Sequence, residues 1–236
     1  MIVYGRNPVR EAIRGPRAVY RVWASKNALR EPWLAGLGAI IHRSEPDEIE
    51  RLCGSDSHQG VCAEVEPFRY ASAEALLALP EPLIVALDQV QDPQNLGSIV
   101  RSAECAGASG MVLPERRSAE VTPAVCKASA GAVEHLPIAK IRNLADFLAE
   151  AKRAGVWCYG ADQGGDTDYA AVDFGGPLVL VVGSEGRGLR PRVASACDVL
   201  VSIPLRGKID SLGVGAAAAV LIFAAARNRQ GNLHHA

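Results

Sequence analysis

The segment LIVALDQVQDPQNLGSIVR, residues 83–101, carries the clearest fold signal in the sequence. Its first five residues are apolar without interruption, as in a strand that is buried on both faces. A turn follows at Asp92-Pro93, and Asn95-Leu96-Gly97 then opens a helix. A buried strand followed by a short loop and a helix is typical of a parallel α/β sheet.

Further apolar runs of the same kind follow along the chain. They are Gly110–Leu113, Val156–Gly160, Leu178–Gly183 and Val199–Ile203. Helical patterns lie between and after them, near 96–106, 123–131, 144–154 and 212–229. Uninterrupted apolar strands need cover on both faces, so the alternation predicts an α/β domain with a parallel sheet between two layers of helices. Ligands of such sheets bind beyond the carboxyl ends of the strands.

The first 66 residues differ from the rest of the chain. Short strand and helix patterns alternate there, with helices expected near 8–14, 27–36 and 47–53, which indicates a small α/β module. The proline-punctuated segment PFRYASAEALLALPEP, which starts at Pro67, is interpreted as a linker. The predicted organisation is a small α/β domain over 1–66, a linker over 67–81, a second α/β domain over 82–231 and a tail over 232–236.

Composition limits the classes of protein to which the chain can belong. With 49% hydrophobic and 22% charged residues, the 236 positions support a sizeable core, which excludes disordered and fibrous proteins. The apolar stretches fall short of the roughly 20 residues that cross a bilayer, so no membrane partner is expected. Residues 1–10 show no export signal, which predicts a cytoplasmic protein. Six scattered cysteines without a CxxC pair argue against a metal site.

Charge is unevenly distributed along the chain. The net charge is −1, but residues 1–30 contain seven basic side chains and the single acid Glu11. A local excess of this kind suits the phosphates of a nucleic acid. The alternative is a solvated helical face that the acidic stretch 45–50 balances.

The first candidate site segment is the helix start after the strand at 83–87. Asn95 is expected near the helix N-terminus, where free N–H groups favour an anionic ligand such as a phosphate. Arg101 lies nearly two turns further along, at the edge of an apolar face. From local sequence alone, Asn95 could equally cap the helix and Arg101 could pair with an acid.

Two more candidate segments follow later strands. GSEGRGL, residues 183–189, places three glycines around Glu185 and Arg187, and glycines permit close approach of the backbone to a ligand. IPLRGKIDSLGVGAAAAV, residues 203–220, leads through Ser211, a candidate N-cap, into an apolar terminal helix that must be buried on most of its circumference.

In this order, the three segments resemble the three motifs of the SpoU (TrmH-like) RNA ribose 2'-O-methyltransferases of the SPOUT superfamily. The resemblance covers about residues 83–229. The front region, with YGRNPVREAI at 4–13 and HQGVCAEV at 58–65, is similar to the small RNA-binding domain of bacterial enzymes that methylate a guanosine of 23S rRNA. The resemblance implies S-adenosylmethionine as cofactor, no metal, RNA as partner, a homodimer, and a deep trefoil knot in the carboxyl-terminal domain.

The resemblance also implies roles for individual residues. The catalytic set is Asn95, Arg101, Glu185 and Ser211, the cofactor-binding set is Gly183, Ile203 and Leu212, and the RNA-binding set is Arg6, Arg10, Arg14 and His58. Arginine keeps its proton at neutral pH, so Arg101 is expected to clamp a phosphate and stabilise developing negative charge rather than act as a base. Asn95 is expected to orient the ribose, and Glu185 to position Arg101 or Arg187.

One motif departs from the family pattern. The third motif normally reads Ser-Leu-Asn, whereas this chain has Gly213 after Leu212, and Gly215 stands where a later serine is common. Three hypotheses follow. The chain is a methyltransferase of a 23S rRNA guanosine, a tRNA or resistance-type rRNA methyltransferase of the same family, or an RNA-binding homologue whose catalysis Gly213 has weakened.

Overall fold

The computed structural model describes residues 1–232. The strands are β1 (Ile2–Tyr4), β2 (Val19–Ala24), β3 (Ile41–Arg43), β4 (Val61–Val65), β5 (Leu83–Leu87), β6 (Gly110–Pro114), β7 (Ile138–Ile141), β8 (Trp157–Ala161), β9 (Thr167–Asp168), β10 (Leu178–Val182) and β11 (Val199–Ser202). The helices are α1 (Arg6–Arg14), α2 (Pro46–Cys53), α3 (Ala73–Leu77), α4 (Pro93–Cys105), α5 (Pro123–Ala128), α6 (Leu144–Arg153), α7 (Pro191–Ala194) and α8 (Val214–Asn232). Apart from Asn232, the predicted tail lies outside the described residues.

The chain forms two compact units, and one of them is discontinuous in sequence. Unit 1 consists of Met1–Arg69 together with Glu120–His135, and unit 2 consists of Tyr70–Ala119 and the chain from Leu136 onward. Helix α5, which the sequence pattern indicated near residues 123–131, therefore belongs to unit 1. The predicted division at 66 and 82 did not include this return of the chain.

Unit 2 is built on a seven-stranded sheet in the order β7-β6-β5-β10-β8-β11-β9. Every pairing in it is parallel. Every residue of β5, β6 and β10 is buried, as expected for strands with helices on both faces. The parallel α/β sheet predicted from the apolar runs is confirmed, whereas the trefoil knot stays a prediction.

Helices α4 and α8 pack against each other on this sheet. Gly215 lies at this contact, and a Cβ at that position would lie 2.5 Å from Ser98 Oγ of α4, so a larger residue would require the Ser98 hydroxyl to rotate. Leu221 and Ile222 on the buried side of α8 are at most 1% exposed. The terminal helix thus packs against the helix that carries Asn95.

Unit 1 contains a four-stranded sheet in the order β1-β4-β2-β3. Its core includes Val3, Val9 and Ile49, which are fully buried. The helix predicted over 27–36 is wrong, since this stretch forms two short 3-10 turns at Ala28–Arg30 and Pro32–Leu34. Pro32 disfavours a helical backbone at Glu31, which is extended with a ψ of 124°, so the helix is interrupted there.

The segment interpreted as a linker is partly folded into unit 2. Helix α3 begins after Ser72, whose hydroxyl accepts a hydrogen bond from Ala75 N at 3.1 Å. Ala73 and Leu76 of α3 are buried in the core of unit 2. Within residues 1–232, none of the helices combines the length and the hydropathy that a membrane span requires.

Candidate active site

The carboxyl ends of β8, β10 and β11 surround a cavity of about 490 Å³. This volume lies within the range of small-molecule binding sites, and its position is the one expected in a parallel sheet. The lining comprises residues 161–163, 182–188 and 210–212 with Val201, Ile203, Leu205, Val214, Ala217 and Leu221. The cavity therefore contains all three residues predicted to bind a cofactor, together with Glu185 and Ser211 of the predicted catalytic set.

The loop after β10 owes its shape to glycines. Ser184 and Gly188 exchange backbone hydrogen bonds of 3.1 and 3.0 Å across a tight turn, in which Gly186 and Gly188 have φ values of 74° and 63°. A Cβ on Gly183 would lie 2.2 Å from the carbonyl carbon of Gly188. Gly183 is thus required because the loop folds back on itself, and a larger residue would displace the loop rather than simply fill the cavity.

A buried carboxylate holds the end of the same loop. Asp88, directly after β5, is 1% exposed and accepts hydrogen bonds from Arg190 N at 2.9 Å and from Arg190 Nε at 2.8 Å. A charge-assisted pair of this kind, with both carboxylate oxygens engaged, has a well-defined geometry. Asp88 therefore ties the loop that follows β10 to the neighbouring strand β5.

Two polar residues of the cavity lie outside the segments that sequence reasoning identified. Asp162 and Gln163 follow β8 at its carboxyl end and both line the cavity. Gln163 Nε2 donates a hydrogen bond to the Asp210 carbonyl, which joins the loop after β8 to the loop after β11. The rule that ligands lie beyond the carboxyl ends of parallel strands could have found both, because they come directly after a recognised apolar run.

Asn95 and Glu185, which are 90 residues apart in sequence, meet at the edge of the cavity. Asn95 Nδ2 donates to Glu185 Oε2 at 3.2 Å. The helix cap is Asp92, whose Oδ2 accepts from Asn95 N at 2.9 Å, so the alternative in which the Asn95 side chain caps α4 is wrong. Its side chain is instead directed to the loop that follows β10.

Arg101 lies two turns into α4 and is not part of the cavity lining. Its side chain is exposed and forms no ion pair with any described residue, so the alternative in which it pairs with an acid of this chain is wrong for the described residues. Glu185, which was expected to position Arg101 or Arg187, instead contacts Asn95. The guanidinium of Arg101 is free to meet an external anion.

The charges that line the cavity are mainly negative. Asp162, Glu185 and Asp210 contribute three carboxylates, and Arg187 is the one basic residue of the lining within the described chain. Asp162 Oδ1 accepts a hydrogen bond from Gly164 N at 2.8 Å, which fixes this carboxylate. A cavity with this lining favours a ligand that carries positive charge.

The third motif forms the wall between the sheet and α8. Ser211 and Leu212 line the cavity, and Gly213 immediately precedes α8. A Cβ on Gly213 would meet no atom within 4 Å. The space that an asparagine side chain would enter at this position is therefore open.

The basic residues predicted to bind RNA lie in unit 1, and acidic partners hold them. Arg6 pairs with Glu31 at 2.9 Å. Arg10 and Arg14 share Glu11 Oε1 at 2.8 and 3.3 Å. Each of these guanidinium groups therefore has a carboxylate beside it, which offsets part of its charge toward an RNA phosphate.

His58 is the most enclosed of the residues predicted to bind RNA. It is 8% exposed, and its Nδ1 accepts a hydrogen bond from Gly60 N at 2.9 Å. This bond closes the turn that leads into β4. In the folded chain the ring is thus engaged in the local structure of unit 1.

Two family models match consecutive parts of the chain. The model of the SpoU rRNA methylase family matches residues 82–223. A model described as RNA 2'-O ribose methyltransferase substrate binding matches residues 2–71. The first alone spans more than half of the chain, and the two follow each other in the order that the sequence motifs indicated.

Individual relatives agree with the family models along nearly the whole chain. YacO of Bacillus subtilis, named for the TrmH family of tRNA/rRNA methyltransferases, is 37% identical over 237 residues, which cover 96% of this chain and 95% of YacO. The SpoU methyltransferase AviRb of Streptomyces viridochromogenes, solved with AdoMet (S-adenosylmethionine), has a TM-score of 0.82 at 27% identity and covers 98% of this chain and 91% of its own. An AdoMet-bound rRNA methyltransferase of Sinorhizobium meliloti gives a TM-score of 0.80 at 28% identity, with coverages of 96% and 86%.

Fold, motifs and relatives therefore agree. The parallel sheet of unit 2 carries the three motifs around one cavity, and the match to a relative more than 30% identical extends through unit 1. On these grounds the chain belongs to the SpoU family of RNA methyltransferases.

Proposed function

We propose that this chain transfers the methyl group of S-adenosylmethionine to a ribose 2'-hydroxyl, that of a guanosine in 23S rRNA, in the cytoplasm. The observation that carries the proposal is the cavity at the ends of β8, β10 and β11. Gly183, Ile203 and Leu212 line it, and the Asn95–Glu185 hydrogen bond stands at its edge. A methyl donor and an RNA nucleotide could therefore meet between this cavity and α4.

The lining of the cavity fits S-adenosylmethionine. The cofactor carries a sulfonium and an ammonium group, and the carboxylates of Asp162, Glu185 and Asp210 suit these positive charges. The apolar side chains of Leu205 and Leu212 provide a surface for its adenine ring. When bound, the cofactor supplies a methyl group on a positively charged sulfur, which is a good leaving group.

The chain's own residues have to position the nucleotide and stabilise charge. The 2'-hydroxyl is a poor nucleophile near neutral pH, so orientation and stabilisation of the emerging alkoxide are the main tasks. Asn95 donates its amide N–H to Glu185, which leaves its carbonyl oxygen to accept a hydrogen bond from the ribose. Ser211 adds a hydroxyl at the cavity wall. Arg101, which no acid of the described chain holds, clamps a phosphate and stabilises developing negative charge.

Ribosomal RNA is favoured over tRNA as the substrate for two reasons. The matching family model is described as an rRNA methylase family, and a substrate-binding model matches residues 2–71 in front of it. In this proposal unit 1 contributes the RNA contacts predicted at Arg6, Arg10, Arg14 and His58, which the carboxylates beside the three arginines weaken. A tRNA or a resistance-type rRNA site remains the alternative target.

The terminal helix α8 suits a homodimer. One side packs on the sheet and α4, while Val220 and Phe223 on another side are 37% and 50% exposed. Exposed large apolar side chains on a helix are typical of an interface between proteins. Replacing Phe223 with Glu should convert the dimer to a monomer in analytical ultracentrifugation, whereas a wild type that sediments as a monomer would contradict the dimer.

Incubation with labelled S-adenosylmethionine and unmodified 23S rRNA fragments tests the function directly. We expect label in RNA at a single 2'-O-methylated guanosine, located by mapping of the modified position. Unmodified tRNA serves as the parallel substrate, and transfer to tRNA alone would move the assignment to the alternative target. RNA binding without any transfer would favour the weakened homologue, a hypothesis that Gly213 supports.

Cofactor binding is tested by filling the cavity from α8. Ala217 lines the cavity, whereas its neighbour Ala216 is exposed on the same helix and does not line it. Ala217→Leu should lower the affinity for S-adenosylmethionine at least tenfold in calorimetry, and Ala216→Leu should leave it unchanged. Equal affinities for the two variants would contradict the placement of the cofactor.

A further inference from the structure

Three exposed arginines, which we call the basic edge, lie at the carboxyl end of the large sheet. Arg116 and Arg117 follow β6, and Arg142 follows β7. The two strands are paired in parallel, and Glu115 N donates to the Ile141 carbonyl at 2.8 Å. This hydrogen bond holds the three arginines at neighbouring positions of the same sheet edge.

No described residue forms an ion pair with a member of the basic edge. Two other arginines of unit 2 differ in this respect, since Arg190 is held by Asp88 and Arg192 by Asp146. The loop between β6 and α5 contains two acids, Glu115 and Glu120, and neither forms an ion pair with the three arginines. The basic edge therefore exposes donors that remain available to an external anion.

The loop that carries two of these arginines has an unusual backbone conformation and a buried hydroxyl group. Arg117 has a φ of 58°, in the left-handed region that is uncommon for a residue with a long side chain. The hydroxyl oxygen of Ser118 is buried and has no hydrogen-bond partner among the described residues. Strained backbone and unsatisfied polar atoms occur preferentially where a ligand binds.

Hydrogen bonds connect the basic edge to the candidate active site. Ala119 N donates to the Val90 carbonyl at 2.9 Å, so the loop after β6 is bound to the loop that leads into α4. The first turn of α4 carries Asn95, which is bound to Glu185 at the cavity. With strands spaced about 4.8 Å apart, β6 lies two strand spacings, about 10 Å, from β10.

We infer that Arg116, Arg117 and Arg142 bind phosphates of the same RNA strand whose nucleotide enters the active site, an inference that rests on the proposed function. Arginine is suited to this task because its planar guanidinium can bind two phosphate oxygens at once. Three cations spread over the ends of two strands suit successive phosphates of a chain rather than a single free anion. The basic edge thus sets the direction in which the strand leaves the cavity.

The test measures binding of a fluorescently labelled, unmodified 23S rRNA fragment to the full-length chain over a range of salt concentrations. Arg116→Gln/Arg117→Gln and Arg142→Gln remove charge, and Arg116→Lys/Arg117→Lys retains it. Arg153→Gln is the control for loss of a single exposed charge, because Arg153 ends α6 and lies toward the opposite end of the sheet. Melting temperatures and calorimetric affinities for S-adenosylmethionine verify that the fold and the cavity are intact.

The glutamine double variant should bind RNA at least tenfold more weakly at low salt. Its slope of log affinity against log salt should fall by about 1.4, since each phosphate contact on a single strand contributes about 0.7. The lysine variant should keep the slope of the wild type. In methyl transfer, the KM for RNA should rise while kcat stays within about twofold. Arg142→Gln should raise this KM less than the double variant does but more than the control Arg153→Gln does.

Wild-type affinity and slope in the glutamine double variant would overturn the inference and leave the proposed function intact. The inference would also be overturned if the lysine variant showed the same lowered slope as the glutamine variant. The lysine variant keeps both positive charges, so such a loss of RNA affinity would have a structural cause. If the wild-type chain binds RNA but transfers no methyl group, the proposed function fails, and the salt slopes still decide whether the basic edge binds phosphate.

Discussion

The arginines of α1 and those of the basic edge have opposite surroundings. Arg10 and Arg14 share one carboxylate of Glu11, whereas Arg116 and Arg117 have no ion-pair partner in the described chain. The first group stands out in the sequence as an excess of positive charge, and the second does not. A basic segment and a surface available to phosphate are therefore separate properties, because folding determines which cations have an acid beside them.

Arg17 is the extreme case of a cation that folding has neutralised. It belongs to the same basic segment, but its Nε donates to Glu134 Oε2 at 2.8 Å and its side chain is 5% exposed. Glu134 comes from the part of the chain that returns to unit 1. One of the seven basic residues of the segment is thus part of the core of unit 1 and not of its surface.

Removing Arg17 should produce the largest effect on stability. Arg17→Ala leaves the Glu134 carboxylate buried without its partner, which lowers the free energy of unfolding by about 3–5 kcal/mol. Chemical denaturation monitored by circular dichroism measures the loss. The double variant Arg17→Met/Glu134→Leu should recover most of it, and a loss under about 1 kcal/mol in Arg17→Ala would show that the pair is not structural.

Removing Arg101 should lower the rate of methyl transfer without lowering stability. Arg101→Ala should lower single-turnover methyl transfer by about a hundredfold or more, as the loss of a preorganised electrostatic group does. Because Arg101 forms no ion pair with an acid of the described chain, its removal leaves no carboxylate unpaired, and the melting temperature should not change. Arg101→Lys should remain well below the wild type, since lysine lacks the forked donors. Wild-type rates in folded Arg101→Ala would remove Arg101 from the mechanism.

Paired arginines should contribute less to RNA affinity than unpaired ones. Arg10→Gln/Arg14→Gln removes two charges, as the double variant of the basic edge does, but we expect a loss of only about threefold, in the range of exposed ion pairs. The same labelled rRNA fragment measures both. A loss as large as that of the basic-edge variant would abolish the distinction between the two groups and identify α1 as a main RNA contact.

The smallest effect concerns the acid that holds the arginines of α1. Burial alone would raise the pKa of Glu11, but hydrogen bonds from Arg10 and His135 outweigh it and hold the pKa below its usual range. A carboxyl whose pKa is lower in the folded chain stabilises at neutral pH, and this stabilisation is lost as pH falls through the folded pKa. Urea unfolding between neutral pH and about pH 3 should therefore show a shrinking difference between wild type and Glu11→Gln. A constant difference would contradict the assignment.

Sequence reasoning succeeded where local pattern determines structure. The apolar runs predicted the parallel sheet, and the family resemblance singled out Gly183, Ile203 and Leu212, which line one cavity at the ends of its strands. It failed where the outcome depends on distant partners. The Asn95–Glu185 hydrogen bond joins residues 90 positions apart, and the Arg17–Glu134 pair joins residues 117 apart. No local pattern indicates which acid meets which base across such separations.

The return of residues 120–135 to unit 1 affects the order in which the protein can fold during its synthesis. Domains near the start of a chain generally fold first, while synthesis continues. Unit 1 lacks α5 and Glu134 until the ribosome has passed residue 135, which is more than half of the 236 codons. Arg17 therefore has no Glu134 carboxylate to pair with until strands β5 and β6 of the other unit have been translated. The amino-terminal unit is therefore completed only after the first segment of the second unit, Tyr70–Ala119, has been synthesised, and neither unit is encoded by one continuous stretch of the gene.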